Sequence, residues 1–441
     1  MRRASALALL LVASACAGPS PARLDTDAAA YRAGEPAFVL DVAGVVDGDA
    51  AVVDVLVGVA PAALAFRPGP DSLEAVLRWT VSVEREGGAP RVLSALDTVR
   101  VASQAASRST APRWTRERFA VEPGLYTVRA LLDDEGAGRT AERRAEVLAR
   151  APGGLPRLAA LRVVRGPDPV DAAAIPAGLD SLALALQAID LAAADTLIVT
   201  VARVLSDSLP AAPVDASTPF VGSLAALGLD RSALDTVAVA RQGVGEGTVL
   251  VEAPLPALRP GVYRITVALD ARPTSAARYV VVRRREYPLL TRLGDLVGPL
   301  AYLADGAELR PLREARSEAA RRRAFDGFWG AEMDDRRLAA ATIRAFYDRV
   351  EQANRLFAGV KEGWKTDPGM VFVLFGPPRF VETRADGERW TYGAGVAGPV
   401  SFSFRRTSAS GPFPVLTLER DRALVDPIDR ARQQWRRGIV P

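Results

Sequence analysis

The chain has 441 residues, with 56 Lys and Arg against 52 Asp and Glu, one cysteine and no histidine. That length leaves room for about three domains, and so even a charge balance makes no electrostatic case for a nucleic-acid partner. Without histidine there can be no Ser-His-Asp triad, no Cys-His pair and no His-ligated metal; a lone cysteine rules out an intrachain disulfide and a cysteine-rich metal site. No cofactor and no metal site are expected.

At the N-terminus, Arg2 and Arg3 precede an apolar core from Leu7 to Val12, and the small residues Ala13-Ser14-Ala15 lead into Cys16. This reads as an export signal, too short to span a membrane. A single cysteine in that position resembles a lipobox, which would make Cys16 the lipidated first residue of an envelope protein; Ala17 behind it favours the outer membrane. The other reading is an ordinary secretory signal cleaved near Cys16. Residues 1–16 are therefore assigned to a lipoprotein-type signal and 17–23 to a short tether.

Next comes a weak internal repeat. Val121-Glu122-Pro123-Gly124-Leu125-Tyr126-Thr127-Val128 is echoed by Leu258-Arg259-Pro260-Gly261-Val262-Tyr263-Arg264-Ile265. In each copy Pro-Gly makes a turn, and alternating apolar residues around a Tyr make a strand, with a closing strand near Arg143 to Leu148 or Arg278 to Arg283. Further strands are predicted at Ala37 to Val42, Val52 to Val57, Ala63 to Phe66, Leu73 to Val83 and Val92 to Val101. Others are predicted at Leu158 to Val164, Leu182 to Leu186, Thr196 to Val204 and Thr248 to Val251. Residues 24–151 and 155–285 thus read as two all-β, immunoglobulin-like sandwich modules, joined near Ala151-Pro152-Gly153-Gly154. The arginine clusters Arg283-Arg284-Arg285 and Arg321-Arg322-Arg323 read as solvated faces.

From Tyr287 onward the texture changes, and most of the aromatic residues lie here. Helices are predicted at Leu289 to Tyr302, Leu309 to Trp329 and Arg337 to Phe357; in the last, Ile343, Phe346, Tyr347, Val350, Asn354 and Phe357 share one face. Asp334 and Asp335 can cap it. Beyond lie predicted strands Met370 to Phe375, Arg389 to Tyr392, Val400 to Phe404 and Val415 to Leu418, then a terminal helix through Ile428 to Trp435. Helices followed by an antiparallel sheet make residues 287–441 an α+β domain.

Within it, Gly363-Trp364-Lys365-Thr366-Asp367-Pro368-Gly369 precedes the apolar run to Phe375 and then Gly376-Pro377-Pro378. Asp-Pro-Gly suits a tight turn into a strand, with Thr366 and Asp367 capping its N–H groups. Trp364 reads as a core anchor. The only two lysines, Lys361 and Lys365, flank Trp364, and Asn354 is the only asparagine; this clustering suggests that an ammonium and a neutral amide are needed here.

These residues, together with Phe328-Trp329, Tyr347, Arg349-Val350, Ala353-Asn354 and Glu388-Arg389-Trp390-Thr391-Tyr392, resemble the GWxTD-domain family of bacterial exported proteins. An acidic residue commonly follows Pro-Pro in that family, where this chain has Arg379. The resemblance implies an exported, β-rich protein and brings no settled activity with it. The expected function is a non-catalytic envelope lipoprotein, held to a membrane through Cys16. Its C-terminal domain would bind a protein or glycan partner through Gly363, Trp364, Lys365, Thr366, Asp367, Lys361, Asn354 and Trp390. Two alternatives stay open: an envelope enzyme acting on glycans with paired carboxylates from Asp367, Glu382 or Glu388, and an accessory factor of a secretion or assembly complex.

Overall fold

The computed structural model describes residues 38–204, 210–211, 234–270, 272–359, 361–384, 386–395, 398–407 and 415–441. The expected signal, the expected tether and Cys16 lie outside the described residues. Three main hydrophobic cores follow one another along the chain.

The first core lies between two antiparallel sheets. Its strands are β1 (Phe38–Asp47), β2 (Ala50–Val59), the two-residue β3 (Arg67–Pro68), β4 (Leu73–Arg85), β5 (Arg91–Val101), β6 (Arg113–Val121), β7 (Gly124–Asp134) and β8 (Arg139–Ala149), with a one-turn helix α1 (Gln104–Ser107) before β6. One sheet runs β1-β2-β6; in the other, β4 is paired by β5 on one side and by β7, then β8, on the other. Alternate residues of β4 and β7, among them Leu77, Trp79, Val81, Val128 and Leu132, fill the space between, as period-two side chains must. Ala63 to Phe66, expected as a strand, instead follows a 3-10 turn at Pro61–Ala63. Pro61 supplies the fixed φ that starts a helical turn and has no N–H for a ladder. β6 was not anticipated, because its Arg- and Glu-rich sequence hides the alternation.

The second core repeats the first strand for strand. β9 (Arg157–Arg165), β10 (Asp168–Pro169), β11 (Ile175–Pro176), β12 (Leu182–Leu191), β13 (Thr196–Val204), β14 (Leu234–Gly243), β15 (Gly247–Pro254), β16 (Gly261–Leu269) and β17 (Ser275–Arg283) form the sheets β10-β9-β12-β15 and β11-β17-β16-β13-β14. Leaving out the two-residue strands, β9-β12-β15 corresponds to β1-β2-β6, and β14-β13-β16-β17 to β5-β4-β7-β8. The repeat extends to one hydrogen bond: the Tyr126 hydroxyl donates to the Glu122 carbonyl and that of Tyr263 to the Arg259 carbonyl, both at 2.9 Å.

These two units are joined face to face. β2 is buried on both sides, with Val53, Val55 and Val57 in the first core and Val52, Asp54 and Leu56 turned away from it yet 3% exposed or less. Across this face Arg162 binds Asp41 at 2.9 Å and also Asp54, while Arg278 reaches Asp41 at 2.7 Å. The Gln187 amide pairs with both backbone groups of Val46, each bond 2.8 Å. Even the connector is pinned, since the Gly153 N–H donates to Asp190 and Arg157 donates to the carbonyls of Arg150 and Ala151.

The third region opens with helices α2 (Leu293–Val297), α3 (Gly306–Arg313), α4 (Glu318–Gly330) and α5 (Arg336–Leu356), with a 3-10 turn at Gly298–Tyr302. The single helix expected from Leu309 to Trp329 is two, because Ser317 caps a new start by accepting from the Ala320 N–H. Asp335 caps α5 as anticipated, through the N–H groups of Arg337 and Leu338. Met370 to Phe375 is not a strand: it belongs to helix α6 (Asp367–Phe375), buried almost throughout. The four-stranded antiparallel sheet consists instead of β18 (Phe380–Arg384), β19 (Gly387–Gly395), β20 (Gly398–Thr407) and β21 (Val415–Leu418), followed by helix α7 (Val425–Arg436).

Candidate functional site

Helix α6 exists because Thr366 caps it. Its hydroxyl accepts from the Gly369 N–H at 3.1 Å and donates to the Gly363 carbonyl at 2.7 Å. Pro368 sits in the first turn, where its missing N–H costs nothing and its ring fixes a helical φ. Asp-Pro-Gly therefore opens a helix where a turn into a strand was expected. Gly369 is required for closeness and not for turn geometry: a Cβ there would collide with the Gly363 carbonyl. One on Gly363 would in turn strike the Ala353 carbonyl of α5. The two glycines let α6, the Gly363–Lys365 3-10 turn and α5 meet backbone to backbone.

Trp364 fills the space they enclose and is 4% exposed. Its indole N–H donates to Glu362 at 3.1 Å, its ring meets Tyr302 edge-on at 5.8 Å, and its carbonyl accepts from the Tyr302 hydroxyl at 2.7 Å. Asn354, buried on α5, takes the Trp364 N–H at its amide oxygen and donates to the Pro288 carbonyl at 3.1 Å. Both ends of that amide are used, which accounts for a neutral donor-acceptor group at this point. Lys365 binds Glu362 at 3.0 Å and lies 5.4 Å from the Trp364 ring centre. Lys361 offers its carbonyl to Arg283 at 3.0 Å.

Asp367 does not cap a turn. Its carboxylate takes a two-pronged bond from Arg420, at 2.7 and 3.1 Å, and the Leu418 N–H at 2.7 Å. Both charged side chains are nearly buried. The first residue of α6 is thereby tied to the last strand of the sheet, 51 residues on. At the other end of α6, Arg349 spans the carbonyls of Val373 and Leu374 at 3.3–3.4 Å and lies 4.9 Å from the Trp435 ring. That placement puts a cation at the negative end of the helix, and burial pulls Arg349 down to about 10.

Electrostatics fit a set of internally satisfied groups. Burial pushes the Glu362 carboxyl up, but Lys365 and Arg284 more than offset it and the net shift is downward. Burial, followed by the Asp367 carboxylate, holds the Tyr302 hydroxyl well above its ordinary value, so it stays a neutral donor. The carboxylates considered for paired-acid chemistry stand in different settings. Asp367 is held by Arg420, Glu388 is 1% exposed and accepts the Trp390 indole N–H at 2.9 Å, and Glu382 is on the surface beside Arg384.

Thus Asn354, Gly363, Trp364, Lys365, Thr366 and Asp367 come together around the start of α6. Trp390 packs separately against Phe357 and Phe404. Sequence reasoning missed Tyr302, Glu362 and Arg420. Only Glu362, one residue from Lys361 and two from Trp364, carried a local signal. Arg283 and Arg284, read as a solvated face, are not one. Arg283 is 7% exposed and donates to the carbonyls of Gly359 and Lys361, and Arg284 pairs with Asp295 and, at 3.6 Å, with Glu362.

β-sandwich-like sheets leading into a helical region and a small antiparallel sheet, built around the buried start of α6, define the class of protein. Residues 261–437 match the family model described as the GWxTD domain, which supports a GWxTD domain in this part of the chain. The match begins at β16, so it takes in the last hairpin of the second sandwich-like unit. No curated protein matches the chain. Among solved structures, a red sea bream transglutaminase is 14% identical with a TM-score of 0.18, covering 56% of this chain and 31% of its own. The fibronectin(III)-like modules of Clostridium thermocellum CbhA are 13% identical with a TM-score of 0.16, covering 58% and 99%. The C-terminal domain of the Streptococcus pyogenes antigen I/II-family protein AspA is 8% identical, also with a TM-score of 0.16, covering 56% and 99%. The chain thus spans under a third of the transglutaminase's length.

Proposed function

We propose that this chain is a non-catalytic cell-envelope lipoprotein, exported and anchored through Cys16, whose GWxTD region binds a protein or glycan partner. On this reading the two sandwich-like units are immunoglobulin-like modules that carry the region away from the membrane. Their shared strand order and the matching hydroxyl bonds of Tyr126 and Tyr263 support that assignment. The observation that carries the functional reading is the internal satisfaction of the motif. Its acid, amide, ammonium and indole N–H are bonded to other parts of the region, so the motif builds the region and leaves recognition to another surface.

That surface is the outer face of the sheet. Trp390, Tyr392, Phe402 and Phe404 point into the core, so their neighbours in β19 and β20 point away from it. Outside, Phe380, Thr391 and Ser401 are cross-strand partners, flanked by Arg389 and Ser403. Phe380 is 63% exposed, with the Arg379 guanidinium 5.6 Å from its ring centre. An exposed aromatic beside arginines and hydroxyls suits recognition of a protein or a glycan. Crosslinking in native cells, with wild type compared to Phe380→Ala and Arg389→Ala, tests this. A discrete crosslinked envelope partner, lost in the variants while melting stays unchanged, is expected. Turnover of a glycan panel by the purified chain would sink the non-catalytic reading.

A further inference from the structure

Edge strands of soluble proteins are usually short, bulged, charged or covered, because their open N–H and C=O groups template further pairing. β5 is long and unbulged, and its charges, Arg91, Asp97 and Arg100, leave an apolar stretch between them. It pairs with β4 over eleven residues without a register break, Val101 opposite Leu73 through Arg91 opposite Val83. Among the described residues, no backbone–backbone hydrogen bond outside that ladder involves residues 91–101; the Thr98 N–H donates to the Asp97 carboxylate at 2.7 Å and the Arg91 guanidinium to the Ala120 carbonyl, local bonds that a partner strand would have to displace or share. It is also apolar where it meets solvent: Val92 is 59% exposed, Leu96 58% and Leu93 37%.

The order of side chains along β5 identifies what fits. Arg91-Val92-Leu93-Ser94-Ala95-Leu96-Asp97 is complementary to itself when read in reverse. An antiparallel copy centred on Ser94 sets Arg91 opposite Asp97, Val92 opposite Leu96, Leu93 opposite Ala95 and Ser94 opposite Ser94. Each unlike pair then occurs twice about a two-fold axis, as an isologous interface requires. Side chains alternate, so Val92 and Leu96 of both copies form one apolar cluster on one face, and the two Arg-Asp pairs lie on the other. Moving the register by three residues, so that Arg91 faces Arg100 of the other copy, would set like charges opposite each other.

The geometry points to a homodimer in which the open edges of β5 from two copies of this chain pair antiparallel about Ser94, joining the two β5-β4-β7-β8 sheets into one. The equivalent strand of the second unit, β14, is less suited to this. Its ladder to β13 is broken by a register shift at Val201/Ala202, and its Arg241 is drawn to Asp270 at 3.9 Å. Irregular ladders of that kind twist an edge away from flat pairing.

Two measurements on the full chain test the dimer. Sedimentation should show a concentration-dependent dimer that Arg91→Asp or Asp97→Arg each weakens roughly tenfold or more, because like charges then face each other twice. The double charge swap, Arg91→Asp with Asp97→Arg, should restore it. Rescue separates pairing from misfolding, which both single variants would also have to escape by melting like wild type. In a Cys16→Ser background, Ser94→Cys should give a disulfide-linked dimer, since Cα atoms opposite each other in an antiparallel pair lie about 4.5–5.5 Å apart. Val239→Cys, comparably exposed on β14, should not. A wild-type chain that stays monomeric at high micromolar concentration overturns the proposal. A dimer crosslinked at position 239 and not at 94 overturns it as well.

Discussion

Asp367 shows how far a residue's neighbours can revise what its sequence context suggests. Next to Pro-Gly, a carboxylate is expected to cap a turn, and an amide would then serve almost as well. In the structure its partner is the buried guanidinium of Arg420. Asp367→Asn should therefore cost about 3 kcal/mol or more, because it leaves that guanidinium buried without its counter-charge. Denaturant unfolding of the chain measures this, and an Asn variant as stable as wild type would remove the ion pair from the account. Gly363→Ala should cost about 2–3 kcal/mol through backbone collision with Ala353, with no polar group lost. Nothing in the sequence joins Asp367 to Arg420, since contact between positions so far apart depends on how α6 and β21 are placed. The Trp364 anchor was legible, because a large indole among glycines has little else to do but fill the space they leave.

At the scale of elements, α5 was readable and α6 was not, for one reason. α5 is amphipathic, so Phe346, Tyr347, Val350 and Asn354 recur at helical spacing with charged residues between them. α6 is buried on nearly every side, and an apolar run of strand length has no period to distinguish the two states. The start signal was present in Thr366 followed by Pro368, and it outweighed the Asp-Pro-Gly turn pattern. Thr366→Ala should destabilise by about 1 kcal/mol and Thr366→Ser by much less, because only a side-chain oxygen can take the Gly369 N–H. Melting of the two variants side by side checks this. An equal loss in both would place the cost in methyl packing instead. β6 and β14 escaped notice because strands at the edge of a sheet carry polar residues on exposed positions, which blurs alternation.

For the whole molecule, the passage from β-sandwich-like sheets to a helical C-terminal region was legible, but the way the parts are fastened was not. Arg283 and Arg284 tie the end of β17 to the loop before Trp364, and Ala211, from the segment between β13 and β14, packs into the third core. A fragment covering residues 287–441 should consequently be less stable than one covering 155–441, by about 2 kcal/mol or more, from the lost arginine partners alone. Equal melting temperatures would contradict this. The joint between the first two units should respond to acid. Burial raises the Asp41 carboxyl, but Arg278 and Arg162 more than offset it and hold it at about 2, below its ordinary 3.8. A depressed folded-state value stabilises above the unfolded one, so about 2 kcal/mol is present above pH 4 and is lost as pH falls through about 2. Asp41→Asn should flatten that part of the stability curve.

The face shared by the first two units has a mechanical consequence. Because β2 is sandwiched between two cores and the Gln187 amide clasps Val46, tension along the chain would not be borne first by the glycine-bearing connector. It would load the face in parallel across its ion pairs and packed valines, which must yield together before the connector straightens. The pair of units should then extend in one abrupt step under a pulling force, as a stiff strut does, and not in the gradual lengthening of beads on a string.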